Sequence, residues 1–159
     1  DLFADGEKAP EFLVWAQKDT HSAPLQRVQI VKGSITNSGA RPSEQVFDVV
    51  CSDGMEVDPT THRCPDNGAR VNIEDCSITN NVGATELKAT WKDPEFNPKN
   101  KAFYYVRVLE NPTCRWSTWD ALKAGVKPRS DLHKTIQERA WSSPIWYIPI
   151  PEDIDIYAL

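Results

Sequence analysis

The stretch AFYYVRVLENPTCRWSTWDALKAG, residues 102–125, changes its periodicity part-way along. Over residues 102–110 the side chains alternate: Phe103, Tyr105, Arg107 and Leu109 share one face, and Tyr104, Val106, Val108 and Glu110 share the other. Aromatic and β-branched residues at a period of two suit a pleated strand, and such a face is usually the wall of a core. Each face carries one charge near its end. A buried Arg107 would need a carboxylate or carbonyl partner, for which Glu110 and Glu138 are the candidates. Arg115 and Trp116 follow at once and are placed to stack. The pattern then turns helical over TWDALKAG, with Ser117 or Thr118 as the cap, Asp120 in the first turn and Gly125 as the stop.

Outward from this stretch, alternation predicts further strands at 12–17 (FLVWAQ), 25–32 (LQRVQIVK), 45–51 (QVFDVVC), 84–91 (ATELKATW) and 144–149 (PIWYIP). In the fourth of these, Leu87, Ala89 and Trp91 line one face while Glu86, Lys88 and Thr90 line the other, the pattern of an antiparallel strand with one wet side. Trp91 is therefore expected in the core, where replacement by Ala would cost about 3–5 kcal/mol. The segments KGSITNSGARPSE, WKDPEFNPKNK and GVKPRSDLHK are turn-rich connections, and a second turn of helix is expected around TIQER at 135–139. Six Trp and twelve Pro against seven Gly favour an aromatic core with fixed turns over long helices. The expected architecture is mainly β: an antiparallel β-sandwich with one short helix and long disulfide-clipped loops, forming a single domain over residues 1–159 with a tail at 150–159.

The chain has 159 residues, is 40% apolar and 26% charged, and carries a formal net charge of −5, which places it among globular sequences and away from disordered ones. Lys and Arg are dispersed, against the basic footprint of a nucleic-acid binder, and no apolar run is long enough for a membrane helix. The sequence opens DLFADGEK without a signal region or initiating Met, and Met55 is its one methionine. The expectation is a processed chain or the carboxyl-terminal piece of a longer protein.

Cysteines at 51, 64, 76 and 114 are even in number, and in an oxidising compartment they read as two disulfides. A bridge from Cys64 to Cys76 would clip the polar loop CSDGMEVDPTTHRCPDNGARVNIEDC and leave Cys51 for Cys114, but four cysteines allow three pairings and spacing does not choose. A zinc site from Cys51, His62, Cys64 and Cys76 is the rival, without the usual paired knuckles. Asp53, Asp58, Asp66 and Asp75 lack the spacing of a calcium loop and read as solvated carboxylates.

No constellation for bond-breaking stands out. His21, His62 and His133 are isolated, the DTH at 19–21 reads as a turn, and neither a nucleophile elbow nor a glycine-rich phosphate loop is present. Glu152 and Asp153 fall in the terminal tail as solvated carboxylates. What remains is arginine beside aromatics: Arg107, Glu110, Arg115, Trp116 and Arg139 are the candidate ligand or anion contacts.

The runs PLQRVQIVKG, VFDVVCSDG, CPDNGARV, GATELKATWKDPEFNPKNKAFYYVRVLENPTCRWSTWDALKAGV and TIQERAWSSPIWYIP resemble the carboxyl-terminal end of a bacterial family of unknown function, domain number 3604, over roughly residues 10–150. That resemblance implies a longer, exported parent whose missing amino-terminal part is similar to the PHP (polymerase and histidinol phosphatase) metallohydrolases. It further implies divalent metals in the parent, where they would activate water on a phosphoester. The family's metal ligands match nothing in this chain, so no cofactor is expected on it. The expected role is an accessory or structural β-domain, periplasmic or secreted, with RVLENPTCRW and ERAWSSPIW at the mouth of the parent's site. The alternative is a free-standing secreted module that holds carbohydrate or protein on an aromatic surface.

Overall fold

The computed structural model describes residues 8–35 and 41–149. The expected strands form, with shifted ends: β1 (Glu11–Gln17), β2 (Leu25–Ile35), β3 (Ser43–Cys51), β4 (Glu86–Lys92) and β5 (Lys101–Glu110). There follow β6 (Thr113–Cys114), the helix α1 (Trp116–Lys123), β7 (Thr135–Ile136), β8 (Arg139–Trp141) and β9 (Ile145–Tyr147). All pairing among these strands is antiparallel. The main sheet runs β3-β2-β5-β8, with β9 also on the free side of β5. β1 pairs with β4 as a separate ribbon, and β6 with β7 as a small clip. The fold is mainly β, as the alternation predicted, and the expected tail at 150–159, with Glu152 and Asp153, lies outside the described residues.

The ribbon packs on one face of the main sheet, and the core fills the gap between them. Phe12, Val14 and Leu87 from the ribbon meet Val28 and Ile30 of β2, Ala102 and Tyr104 of β5 and Tyr147 of β9. Ring contacts cross the layers: Phe12 lies 4.8 Å from Tyr104, and Trp91 lies 5.1 Å from Phe47 on β3. A buried polar clip joins them too. Lys32 Nζ sits 2.7 Å from Asp93 Oδ2, just beyond β4, and the Tyr104 hydroxyl donates to the same oxygen at 2.7 Å. Burial first, then the Asp93 carboxylate, pushes the Tyr104 hydroxyl far above its ordinary range, so it stays a donor.

Four local expectations are corrected. The helix starts at Trp116 with Arg115 at the N-cap and no side-chain cap, because the Thr118 hydroxyl instead donates to the Lys134 carbonyl at 2.8 Å. Its end is as expected, with Gly125 at φ +67°. TIQER is not helical; it supplies β7 and the start of β8, whose backbone groups are taken up by Cys114 and Leu109 across the ladders. The disulfides join Cys51 to Cys64 and Cys76 to Cys114, so the polar loop is tied at its middle to the end of β3 and at its far end to β6, not across Cys64 and Cys76. Arg107 is paired with neither Glu110 nor Glu138. Its Nε–H donates to Gln29 Oε1 at 2.7 Å, and Glu110 accepts from the Ser22 hydroxyl.

All four loop aspartates are engaged, three of them within their own turn and Asp53 by a distant one. Asp58 accepts from the N–H groups of Thr60 and Thr61, Asp75 from Ser77, and Asp66 from Gly68 and Arg70, while Asp53 receives the Gly83 N–H. The DTH segment is likewise a turn, the His21 N–H donating to Asp19 Oδ1 at 2.7 Å.

Candidate functional site

The face of the main sheet turned away from the ribbon carries the chemistry. Register fixes which side chains stand side by side. One row runs Asp48, Gln29, Arg107 and Trp141 across β3, β2, β5 and β8, and the next sets Arg27, Leu109 and Arg139 together. Further along are Val46, Val31 and Tyr105, then Glu44, Gly33, Phe103 and Trp146. One end of this face is therefore basic and the other aromatic.

At the basic end the Asp48 side chain is fully buried. Gln29 donates its amide to Asp48 Oδ1 at 2.5 Å, and the Cys64 N–H donates to Oδ2 at 2.7 Å, so the Cys51–Cys64 bridge holds a backbone donor over the carboxylate. Arg27 Nε stands 3.6 Å from Oδ2 and Arg63 Nη1 3.8 Å from Oδ1. Arg63 also donates to the Val46 carbonyl, and the His62 carbonyl takes the Asp48 N–H, which seals this part of the β3 edge with the loop.

At the aromatic end the Phe103 ring lies over the bare Cα of Gly33 and beside Trp146, 5.3 Å between centroids. A groove of about 420 Å³ opens there, walled by Ile35, Pro42, Phe103, Trp146 and Ile148, with Glu44 and Lys101 at its rim.

The family model for Protein of unknown function (DUF3604) matches residues 1–149. The chain belongs to that family. No curated protein and no solved structure matches it. In this DUF3604 chain the predicted contacts Arg107 and Arg139 fall on the same sheet face, two rows of one surface, with Trp141 beside them. Glu110 lies elsewhere, bonded to Ser22, and Trp116 is 68% exposed on the helix. Arg115 is held at the helix start, its N–H donating to the Lys134 carbonyl, and among the described residues no ring contact joins it to Trp116.

The sequence reading missed Arg27, Gln29, Asp48 and Arg63. The signal was present in part: Arg27 and Gln29 alternate with Val28 and Ile30, and Asp48 interrupts the apolar run VFDVV. A carboxylate inside an apolar strand run must find donors if it is buried. Arg63 had no such mark, because its place depends on the fold of the loop.

Proposed function

We propose that this DUF3604 chain is an accessory β-domain of an exported, PHP-like metal-dependent hydrolase, which shapes and anchors the parent's site without breaking bonds itself. The observation that supports this reading is the groove between Ile35, Phe103, Trp146 and Ile148, an apolar surface at the end of the main sheet. Trp146 is 50% and Ile148 53% exposed, which is the surface a neighbouring domain would cover. Two disulfides, with no helix among the described residues long and apolar enough to cross a membrane, are consistent with an extracellular or periplasmic setting.

The test compares this chain with its complete reading frame, each purified and supplied with zinc, manganese or iron. Phosphoester hydrolysis and stoichiometric metal are expected only in the longer protein. Hydrolysis by this chain alone, with bound metal, would overturn the proposal. The second reading, a free-standing binding module, is favoured by Trp141 standing in register beside Arg107, an aromatic face next to a fixed cation. A complete reading frame with no additional catalytic domain would select it.

A further inference from the structure

Arg27 and Arg63 flank the Asp48 carboxylate, which already accepts from neutral donors, and Arg107 is linked to it through Gln29. Gln29 and the Cys64 N–H each donate to one oxygen of Asp48, while Arg27 and Arg63 stand at ion-pair range without hydrogen bonding to it. Arg27 Nε is buried without a hydrogen-bond partner. A buried donor without a hydrogen bond costs free energy, which the ion pair to Asp48 at 3.6 Å offsets in part. Arg107 gives its Nε–H to Gln29 Oε1, which fixes the plane of the guanidinium, and among the described residues no hydrogen bond engages its terminal nitrogens.

The relay that fixes Arg107 is itself buried: Gln29 is 4% and Asp48 3% exposed. Two guanidinium groups, those of Arg27 and Arg63, thus lie at ion-pair range of one carboxylate, with Arg107 tied to it through Gln29, and Arg139 in the adjoining row adds to the excess of positive charge. Glu44, on the same strand face as Asp48, lies at the opposite, aromatic end. A planar guanidinium held by its Nε presents the fork that matches a carboxylate, sulfate or phosphate oxygen pair.

We infer that Arg27, Arg63 and Arg107 form a binding site for an oxyanion carried on a ligand, either a carboxylate or a sulfate or phosphate ester. Arg107 supplies the fork, Arg63 closes the rim, and Trp141, 60% exposed beside Arg107, covers the body to which the anion is attached. The site stands whether the chain serves as an accessory domain or as a free module.

The experiment titrates the chain, disulfides intact, with sodium sulfate, phosphate or acetate against sodium chloride at matched ionic strength, following the arginine Nε–Hε resonances by NMR. Saturable shifts at Arg27 and Arg107 are expected with at least one oxyanion and not with chloride. Preference for sulfate or phosphate would identify an ester, and preference for acetate a carboxylate. Arg107→Gln should weaken binding about tenfold or more, the effect of losing one charge-assisted fork. Arg129→Gln, an exposed arginine paired with Asp131 at 2.6 Å, should leave it unchanged. Arg63→Gln, at a side chain 49% exposed, is the second variant if Arg107→Gln does not fold, and it should also weaken binding. Equal shifts with chloride, or wild-type affinity in a folded Arg107 or Arg63 variant, would overturn the inference.

Discussion

Single side chains set the geometry of the outer sheet face. A Cβ on Gly33 would stand 2.2 Å from Phe103 Cζ, so Gly33→Ala must drive the ring off the sheet and reshape the groove. We expect a loss of about 1–3 kcal/mol in urea unfolding, the range for overpacking, together with a change in the Phe103 ring resonances. An unaltered ring environment would refute the contact. Asp66 offers a pH test in the polar loop. The Arg70 guanidinium, and after it the Gly68 N–H, hold its carboxyl at about 2 against an ordinary 3.8. A depressed carboxylate favours the folded state above the unfolded value, and that preference disappears as pH falls from about 3.8 through about 2. In Arg70→Gln the Asp66 carboxyl should titrate closer to 3.8, read from its carbon chemical shift. At this scale the sequence misled where partners were guessed from nearby charge. Arg107 found Gln29, not Glu110 or Glu138, because pairing between β2 and β5 brings residues 78 positions apart into one row.

Elements were more legible than partners. Alternation in β4 predicted its core face correctly, with Leu87 6% exposed, whereas in β5 it separated two apolar faces without choosing between them, and the structure puts Tyr104, 1% exposed, on the inner one. Trp91 is on the expected face but only half-buried, between Phe12 and Phe47, so Trp91→Ala should cost about 2–3 kcal/mol instead of the full core value. Leu13→Ala, at a site 79% exposed on the other face of the ribbon, should change stability little, and calorimetry of the two variants checks the assignment. The two-residue and three-residue strands β7 and β8 were not legible. Their local sequence favours a helical turn, and the ladders with Cys114 and Leu109 override that preference. The disulfides differ in reach as well. Loop-closure entropy gives about 3 kcal/mol for Cys51–Cys64 and about 4 kcal/mol for Cys76–Cys114, from separations of 13 and 38. Replacing the second pair with serine should therefore lower the unfolding midpoint more than replacing the first, and the reverse order would show that local strain or contacts dominate.

Across the whole molecule, the ribbon and the main sheet are joined by the core and by the Lys32–Asp93–Tyr104 clip. Removing one partner leaves a buried charge unpaired, so Asp93→Ala should destabilise by about 3–5 kcal/mol in urea unfolding. Lys32→Met combined with Asp93→Ala should recover much of that, since the stranded ammonium, 5% exposed at its side chain, is then gone. If the double variant is no more stable than the single one, the clip is not the tie between layers. The sequence by itself indicated the longer strands β1 to β5, and β9, the wet and dry faces of β4, the helix stop at Gly125 and disulfides as the use of the four cysteines, because these follow from periodicity, backbone freedom and composition within short windows. Only the tertiary structure decided which cysteines pair and which arginines meet. Those choices depend on strand register and loop path, through contacts between residues far apart in the chain that no local pattern encodes.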